Sequence, residues 1–410
     1  EEEEREEEEG ARLERPLPPL ALGPVTPLDF ALLLSAAPCC VPFPIRLELF
    51  RALLQEDKSR SGLDNPHMTP SIEVNIKRDR LLEDAFEQLA GWARVDGGRG
   101  FKKRLNVTFL NEAGLSEAGI DHGGLQKELL EQATKIGLQG DFGLFTTTSD
   151  GLAYPSPQAV WIEHGTPLLE FLGLLFGKAL YEGILLNVPL ASFFTALLQR
   201  RRPVLEDLAD IDASLFRSIL QVKSYEGDMD DLSLTFSVDD DFFGHAQHYE
   251  LIPGGSDVAV TRENRNLYCS LLSGWHLNRR LGTAARAFAS GFWKMVPSDF
   301  LGLFNTREVN ELLMGEGSGG GRGGGIDMED MQAWARYSGG YNPESTAVKM
   351  FWKVVKTLTP AEQEQLLRFI TSCSRPPLGG FRYLNPPLTI HKVACEAGAL
   401  AGGAPGAARP

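Results

Sequence analysis

The chain has 410 residues, 43% of them hydrophobic, which is enough for one large two-part unit or two to three domains. Its formal net charge of −15 argues against nonspecific nucleic-acid binding, which needs a basic footprint. Five cysteines, an odd number with Cys39 and Cys40 adjacent, follow an acidic N-terminus and no secretory signal; they indicate reduced thiols in a cytoplasmic, or alternatively nuclear, compartment.

The opening "EEEEREEEEG" carries eight Glu in ten residues, a run that repels itself and buries nothing. Residues 1–26 therefore read as a disordered acidic leader. A helical approach segment spans 27–66, broken near Pro38 to Pro44. In it, "PFPIRLELFRALLQEDK" places Ile45, Leu47, Leu49, Phe50, Leu53 and Leu54 on a broad apolar face. The Gly/Asp/Asn/Pro cluster at 62–66 marks a turn. "LLEDAFEQLAGW" reads as helix, and "RLNVTFL" alternates Leu105, Val107 and Phe109 against Asn106 and Thr108, a half-exposed strand. After the "GIDHGG" turn, "GGLQKELLEQATKIGL" is helical. The "FKKR" at 101–104 and the Arg run at 200–202 read as solvated charge.

From Pro167, "PLLEFLGLLFGKALYEGILLNVPLASFF" is apolar enough to raise a membrane span. Glu170, Lys178 and Glu182 argue against it, since a charge at a bilayer centre costs roughly 2.5–3.5 kcal/mol. A buried helix is expected, with Gly173 and Gly177 on one face for close packing against another helix.

Beyond it, Leu215, Ile219 and Val222 form one helical stripe, with Phe216 and Leu220 in a second beside it. "LSLTFSV" alternates Leu232, Leu234 and Phe236 as a strand, and "YELIPGGSDVAVT" reads as two strands about a Pro-Gly-Gly turn. One apolar flank of such a helix can be buried while the other is shown. His245 and His248 are the best metal candidates, but on a strand they point to opposite faces and no third ligand is close. No Ser/His/Asp set stands out. Helices return over about Glu263 to Phe292, "GEGSGGGRGGG" at 315–325 reads as a flexible insertion, and two helices, "AVKMFWKVVKTL" and "PAEQEQLLRFITSC", precede the strand "PLTIHKV".

Six segments then occur in a specific order: "EAGIDHGGLQKELLE" (117–131), "FGKALYEGILLNVPLASFF" (176–194), "SYEGDMDDLSLTF" (224–236), "VTRENR" (260–265), "YSGGYN" (337–342) and "LLRFITSCSRPPLGGF" (366–381). Together they resemble the catalytic region of HECT-type E3 ubiquitin ligases over about Val41 to Ile390, with "TSCSRPPL" worded most like the E3B/E3C-like subgroup. The resemblance implies an α+β, bilobal fold: a mainly helical large N-lobe with a small α/β docking subdomain, then a C-lobe. Mapped here, the N-lobe covers 67–338, the small subdomain about 196–283, the hinge 339–342, the partial C-lobe 343–395 and a low-complexity tail 396–410.

It also implies partners: a ubiquitin-conjugating enzyme (E2), ubiquitin and a protein substrate, with no nucleic acid, membrane, metal or organic cofactor. The E2 would dock on Leu215, Ile219, Val222, Tyr225, Leu232, Leu234 and Tyr268, and the lobes would swing about Gly339, Gly340 and Tyr341.

One departure matters. Family members carry the nucleophile in a Leu-Pro-Thr-x-x-Thr-Cys segment after the strand that corresponds to Leu388 and Ile390; here "HKVACEAGALAGGAPGAARP" follows instead. Its last fifteen residues hold six Ala, four Gly and two Pro, which cannot supply further strands and a helix. The expectation is a C-lobe that breaks off short of its nucleophile. Cys395 is a weak candidate, since transfer needs a positioned thiolate, and Cys39, Cys40, Cys269 and Cys373 read as packing residues. The chain is thus expected to keep docking and lose transfer. A non-enzymatic module that sequesters conjugating enzymes is the alternative.

Overall fold

The computed structural model describes residues 32–34, 36–63, 71–111, 114–116, 124–186, 188–242, 245–315, 326–371, 375–384 and 387–393. Helix α1, Phe43–Arg60, buries Leu47, Phe50 and Leu54 along one face and so belongs to the main core rather than to a separate approach segment. Strand β1, Ile72–Lys77, alternates buried and exposed side chains, and it pairs in parallel with β2, Leu105–Leu110, placing Ile72 opposite Leu105. Parallel strands need a long crossover, and helix α2, Leu81–Leu89, lies within it. β2 was legible in the sequence; β1 was not, although Ile72, Val74 and Ile76 carry the same alternation.

Helix α3, Gly124–Gly137, and the short antiparallel pair β3, Phe145–Thr147, and β4, Ala153–Pro155, lead to α4, Gly165–Glu182, and then α5, Ser192–Leu198. The small subdomain holds α6, Ala213–Ser224, the antiparallel hairpin of β5, Ser237–Phe242, with β6, His245–Glu250, and α7, Arg265–Gly274. The hairpin forms ahead of the Pro-Gly-Gly turn rather than about it: after β6 the chain makes a short 3-10 turn at Gly255–Asp257, and only the backbone bridge Thr235–Ala259 continues the pairing. Helices α8, Gly282–Met295, and α9, Thr306–Met314, complete the first core.

A second core contains α10, Met328–Trp334, β7, Arg336–Ser338, α11, Thr346–Val355, α12, Pro360–Thr371, and β8, Thr389–His391, which pairs in parallel with β7. The overall architecture is α+β, mostly helical with small two-stranded sheets. Among the described residues no helix is long and apolar enough to cross a membrane.

The centre of the first core is the crossing of α4 and α8. A Cβ added at Gly173 would sit 1.9 Å from the Phe288 carbonyl oxygen, and one at Gly291 would sit 1.8 Å from that of Glu170. Both distances are impossible, so the two backbones touch there because neither residue has a side chain. Around this contact Phe145, Phe176 and Phe194 meet the Phe288 ring edge-on, at centroid separations of 5.7, 5.2 and 5.2 Å.

The charges on α4 are absorbed in two ways. Glu170 reaches the surface and pairs with Lys294 of α8. Lys178 is fully buried, and its Nζ donates to the Lys102 and Lys103 carbonyls at 2.9 and 2.7 Å and to Glu182 Oε1 at 2.8 Å. Burial pulls its pKa below the ordinary lysine value, against the opposing pull of Glu182. Lys102 is itself buried and donates to Asp57 Oδ2 at 2.6 Å, so the first half of "FKKR" is interior, contrary to the solvated reading. The cause is the demand of Lys178 for acceptors, which draws the 102–103 backbone inward.

Gly173→Ala should destabilise the protein by about 1–3 kcal/mol, the usual cost of overpacking. Gly274→Ala, at a helical position with nothing within 4 Å of the new methyl, should stabilise it by about 0.4–1 kcal/mol. Urea midpoints at constant slope check both signs.

Candidate functional site

The small subdomain gathers most of the residues singled out for docking. Asp212 begins α6, its carboxylate accepting from the backbone N–H of Ser214 and Leu215, both at 2.9 Å. These hydrogen bonds hold the Asp212 carboxyl below the usual range. After α6 the chain turns at Tyr225 to Asp228, makes one 3-10 turn over Met229–Leu232, and reverses at Ser233, which has a left-handed φ of 47°. Leu234 and Phe236 then pair with Val260 and Val258, through N–H···O contacts of 2.9 and 3.1 Å.

The "TRENR" segment has a physical role that its wording alone did not disclose. Asn264 caps its own turn, accepting from Thr261 N–H at 2.7 Å and donating to the Ala259 carbonyl at 3.0 Å. That geometry directs the two arginines at the facing loop. Arg265 Nη1 donates to the Tyr225 carbonyl at 2.6 Å, and Arg262 Nη2 donates to the Glu226 carbonyl. The Tyr225 ring lies over Gly227, where a Cβ would come within 2.6 Å of it. Two guanidinium groups and one glycine therefore fix where Tyr225 stands.

The expected docking residues separate into two sets. Leu215, Val222, Tyr225, Leu232 and Leu234 are half-buried, each with part of its surface open. Ile219 and Tyr268 are buried, at 1% and 6% exposure: Tyr268 meets Phe236 edge-on at 5.5 Å, and the Cys269 thiol contacts the Ile219 carbonyl. They support the face from beneath. The first stripe of α6 thus turns its centre inward, while Leu220 of the second stripe is exposed, as are Val258 and Leu267. Residue pattern could not rank these, because exposure depends on how α7 lies across α6. Four carboxylates, Glu226, Asp228, Asp230 and Asp231, stand exposed along the same loop.

Other expectations are placed as follows. Gly339 and Gly340 have φ of 68° and 96° and form the turn after β7, where a Cβ on Gly339 would lie 2.5 Å from the Lys392 carbonyl oxygen. Tyr337 and Tyr341 pack on the second core, and the change from first to second core falls between Met314 and Ile326. The turn at 339–342 is therefore inside the second unit, a correction to its reading as the hinge: β7 is bound to β8, so its end cannot swing free of it.

Cys39 and Cys40 are exposed rather than packed, whereas Cys269 is buried and burial pushes its thiol pKa up. Cys373 and Cys395 lie outside the described residues. So does the His245 side chain; His248 contacts Asp239 Oδ1 at 2.7 Å and Ser256 Oγ at 2.9 Å. This Ser-His-Asp geometry is not a hydrolase site. Glu250 already occupies the Gly254 and Ser256 N–H donors that an oxyanion would need, so the cluster staples the hairpin to its turn. Among the described residues no group of three or more His, Cys, Asp or Glu could hold a metal ion.

This arrangement, a helix–hairpin–helix subdomain on a helical lobe followed by a second small core, defines a class. Residues 131–401 match the HECT domain, described as a ubiquitin-transferase domain. The chain belongs to the HECT E3 ubiquitin ligase family. It is 34% identical to the E3 ubiquitin-protein ligase UPL6 of Arabidopsis thaliana over 89% of its length. It is 36% identical to the ubiquitin-protein ligase E3B of Homo sapiens over 88% of its length, and 31% identical to the E3 ubiquitin-protein ligase HUL5 of Saccharomyces cerevisiae over 89%. The chain spans 34% of the first two relatives and 40% of the third.

The joint between subdomain and lobe carries a pH signature. His276 lies beside Arg280, Asp240 and Asp212, and burial followed by repulsion from Arg280 pushes its pKa from 6.5 down to about 4. A base with a lowered folded pKa binds fewer protons folded than unfolded between those two values, so stability rises as the pH climbs from about 4 to about 6.5. His276→Gln should flatten that rise in a plot of urea midpoint against pH, with little change above pH 7.

Proposed function

We propose that this chain is the docking platform of a HECT-type ubiquitin transferase. In the full reaction, a cysteine thiolate attacks the carbonyl of the ubiquitin thioester carried by the conjugating enzyme, and the carrier's thiolate leaves. A substrate lysine amine then attacks the new thioester, forming an amide and releasing the cysteine. Both steps exchange acyl partners without a change in oxidation state, so no redox cofactor is required.

The observation that carries the proposal is the Tyr225 loop. Arg262 and Arg265 hold its carbonyls, Gly227 seats the ring, and half-buried Leu215, Val222, Leu232 and Leu234 belong to the same subdomain. A rigid aromatic anchor amid apolar side chains, rimmed by Glu226, Asp228, Asp230 and Asp231, suits a partner that offers apolar anchors within a basic rim. Rim carboxylates of this kind speed association at low salt more than they deepen the complex.

The proposal extends to the nucleophile. Cys269 is buried and burial pushes its thiol pKa up, while Cys39 and Cys40 sit just ahead of α1. Cys395 follows β8 in sequence but lacks the Leu-Pro-Thr setting of the family nucleophile. We infer that these residues bind the charged carrier without accepting its ubiquitin.

Tyr225→Ala should weaken carrier docking by at least about 2 kcal/mol, a factor of roughly 30, as hot-spot aromatics do, while Met350→Ala on the second unit should leave it unchanged. Gly227→Ala should act like a milder Tyr225→Ala by displacing the ring. Fluorescence anisotropy with a labelled carrier measures all three, and a Tyr225→Ala variant that docks normally would refute the assignment. Incubation with charged carrier and no reductant tests transfer. A ubiquitin adduct that disappears on adding thiol and in Cys395→Ala would overturn the non-acceptor reading and leave the docking reading intact.

A further inference from the structure

A cavity of about 310 Å³ lies at the seam between the two cores. That is the lower end of the range for small-ligand pockets, about 300–1,000 Å³. Leucine is the commonest residue in its walls, with Leu54 of α1, Leu180 of α4, Leu312 of α9 and Leu378 packed in the first core and Leu384 in the second. The charged groups in the lining are three cations, Arg51, Lys58 and Lys127, against one carboxylate, Glu182, which Lys58 and Lys178 already share.

Arg51 is the unusual member. Its Nη2 donates to the Leu378 carbonyl, and the Tyr383 ring lies 3.5 Å below the guanidinium carbon. Its Nη1 is buried and has no hydrogen-bond partner. Desolvation pulls the Arg51 pKa down, against the opposing pull of the Tyr383 hydroxyl beside it and of Glu48. Guanidinium N–H groups are rarely buried without one, because the unmade hydrogen bond costs more than a typical made one contributes. An anion entering the cavity beside Arg51 would supply that acceptor while its hydrocarbon met the leucines.

We propose that this seam cavity binds a small amphipathic carboxylate, with the acid group on Arg51 and a short alkyl chain among the leucines. The site is separate from the docking face and independent of the transferase reading. Nη1 is closed to solvent in the ligand-free arrangement, so entry takes a rotamer change in a lining side chain, and Gln55 is exposed at the lip. The ligand would touch α1 and the 377–384 strap together, so binding would tie the two cores more firmly to each other.

Isothermal titration of the full chain tests this with octanoate as the probe, octanol as its uncharged counterpart and inorganic phosphate as an anion without a tail. Octanoate should bind saturably at one site, at least about tenfold tighter than either control, the difference expected for a charge-assisted hydrogen bond. Arg51→Gln should abolish the preference for octanoate over octanol. Leu384→Trp, which keeps Arg51 and fills the space, should weaken octanoate about tenfold or more. Absence of saturable octanoate binding, equal affinity for octanol, or undiminished binding to a folded Arg51→Gln chain would each overturn the proposal. Should Arg51→Gln fail to fold, the octanol comparison and Leu384→Trp decide the matter alone.

Discussion

The α4–α8 crossing is the constraint on which the rest of the first core is built. Gly173 and Gly291 let backbone meet backbone, and nothing larger than hydrogen fits between them. That close approach fixes the height of the Phe288 ring, on which Phe145, Phe176 and Phe194 close from three directions. It also forces the far end of α4 into the interior with Lys178 still on it. A buried ammonium is tolerated only where acceptors surround it, and here they are two peptide carbonyls and a carboxylate. The consequence travels outward: the 102–103 backbone is drawn in, Lys102 follows, and Asp57 of α1 meets it.

Helix α1 is thereby tied at three heights, twice to the lobe and once to the second unit. Near its start, Arg46 makes a two-pronged pair with Glu308 of α9, with both contacts at 2.7 Å, and donates to the Val41 and Leu303 carbonyls. Glu308 simultaneously accepts from the Asn305 backbone as part of a capping box, so one carboxylate holds two elements. Near its end, Asp57 accepts from both Lys102 and the Tyr181 hydroxyl. Between these, Arg51 and Glu48 face the second unit, where Glu48 receives Arg382 and the Tyr383 hydroxyl at 3.0 and 3.2 Å. The residues matched to the HECT domain begin at 131, yet the core they need begins at α1.

Much of this was legible in the residues, for physical reasons that can be named. The glycines of α4 announced a close helix partner, and the charges on it announced a protein interior rather than lipid; both inferences rest on local chemistry. The alternation of β2 and the stripes on α6 were visible because period and amphipathy are properties of a single segment. What stayed hidden depends on partners distant in sequence. Which stripe of α6 is covered is decided by α7, so Ile219 is interior and Leu220 is exposed. The turn at Gly339 was placed as the hinge by the family resemblance, with glycine's backbone freedom in support, but β8, some fifty residues on, binds the preceding strand. "TRENR" carried a recognisable wording without its mechanism, because the carbonyls it grips lie 36 to 40 residues earlier.

The same reasoning separates the two surfaces of interest. On the face proposed for docking, the polar groups satisfy one another: Asn264 closes its own turn, both arginines find carbonyls, and Asp212 finds the α6 amides. Such a face is preorganised, and a partner meets it without first rearranging it. The seam cavity is the opposite case. Arg51 has stacked on Tyr383 and satisfied Nη2, but Nη1 remains without an acceptor, closed to solvent at the cavity wall. A preorganised face costs a visitor little to engage, whereas an incomplete polar group draws binding energy from completing it. The first arrangement suits the transient protein partner proposed for that face, and the second suits the small ligand proposed for the cavity, whose one charge would meet one unmet demand.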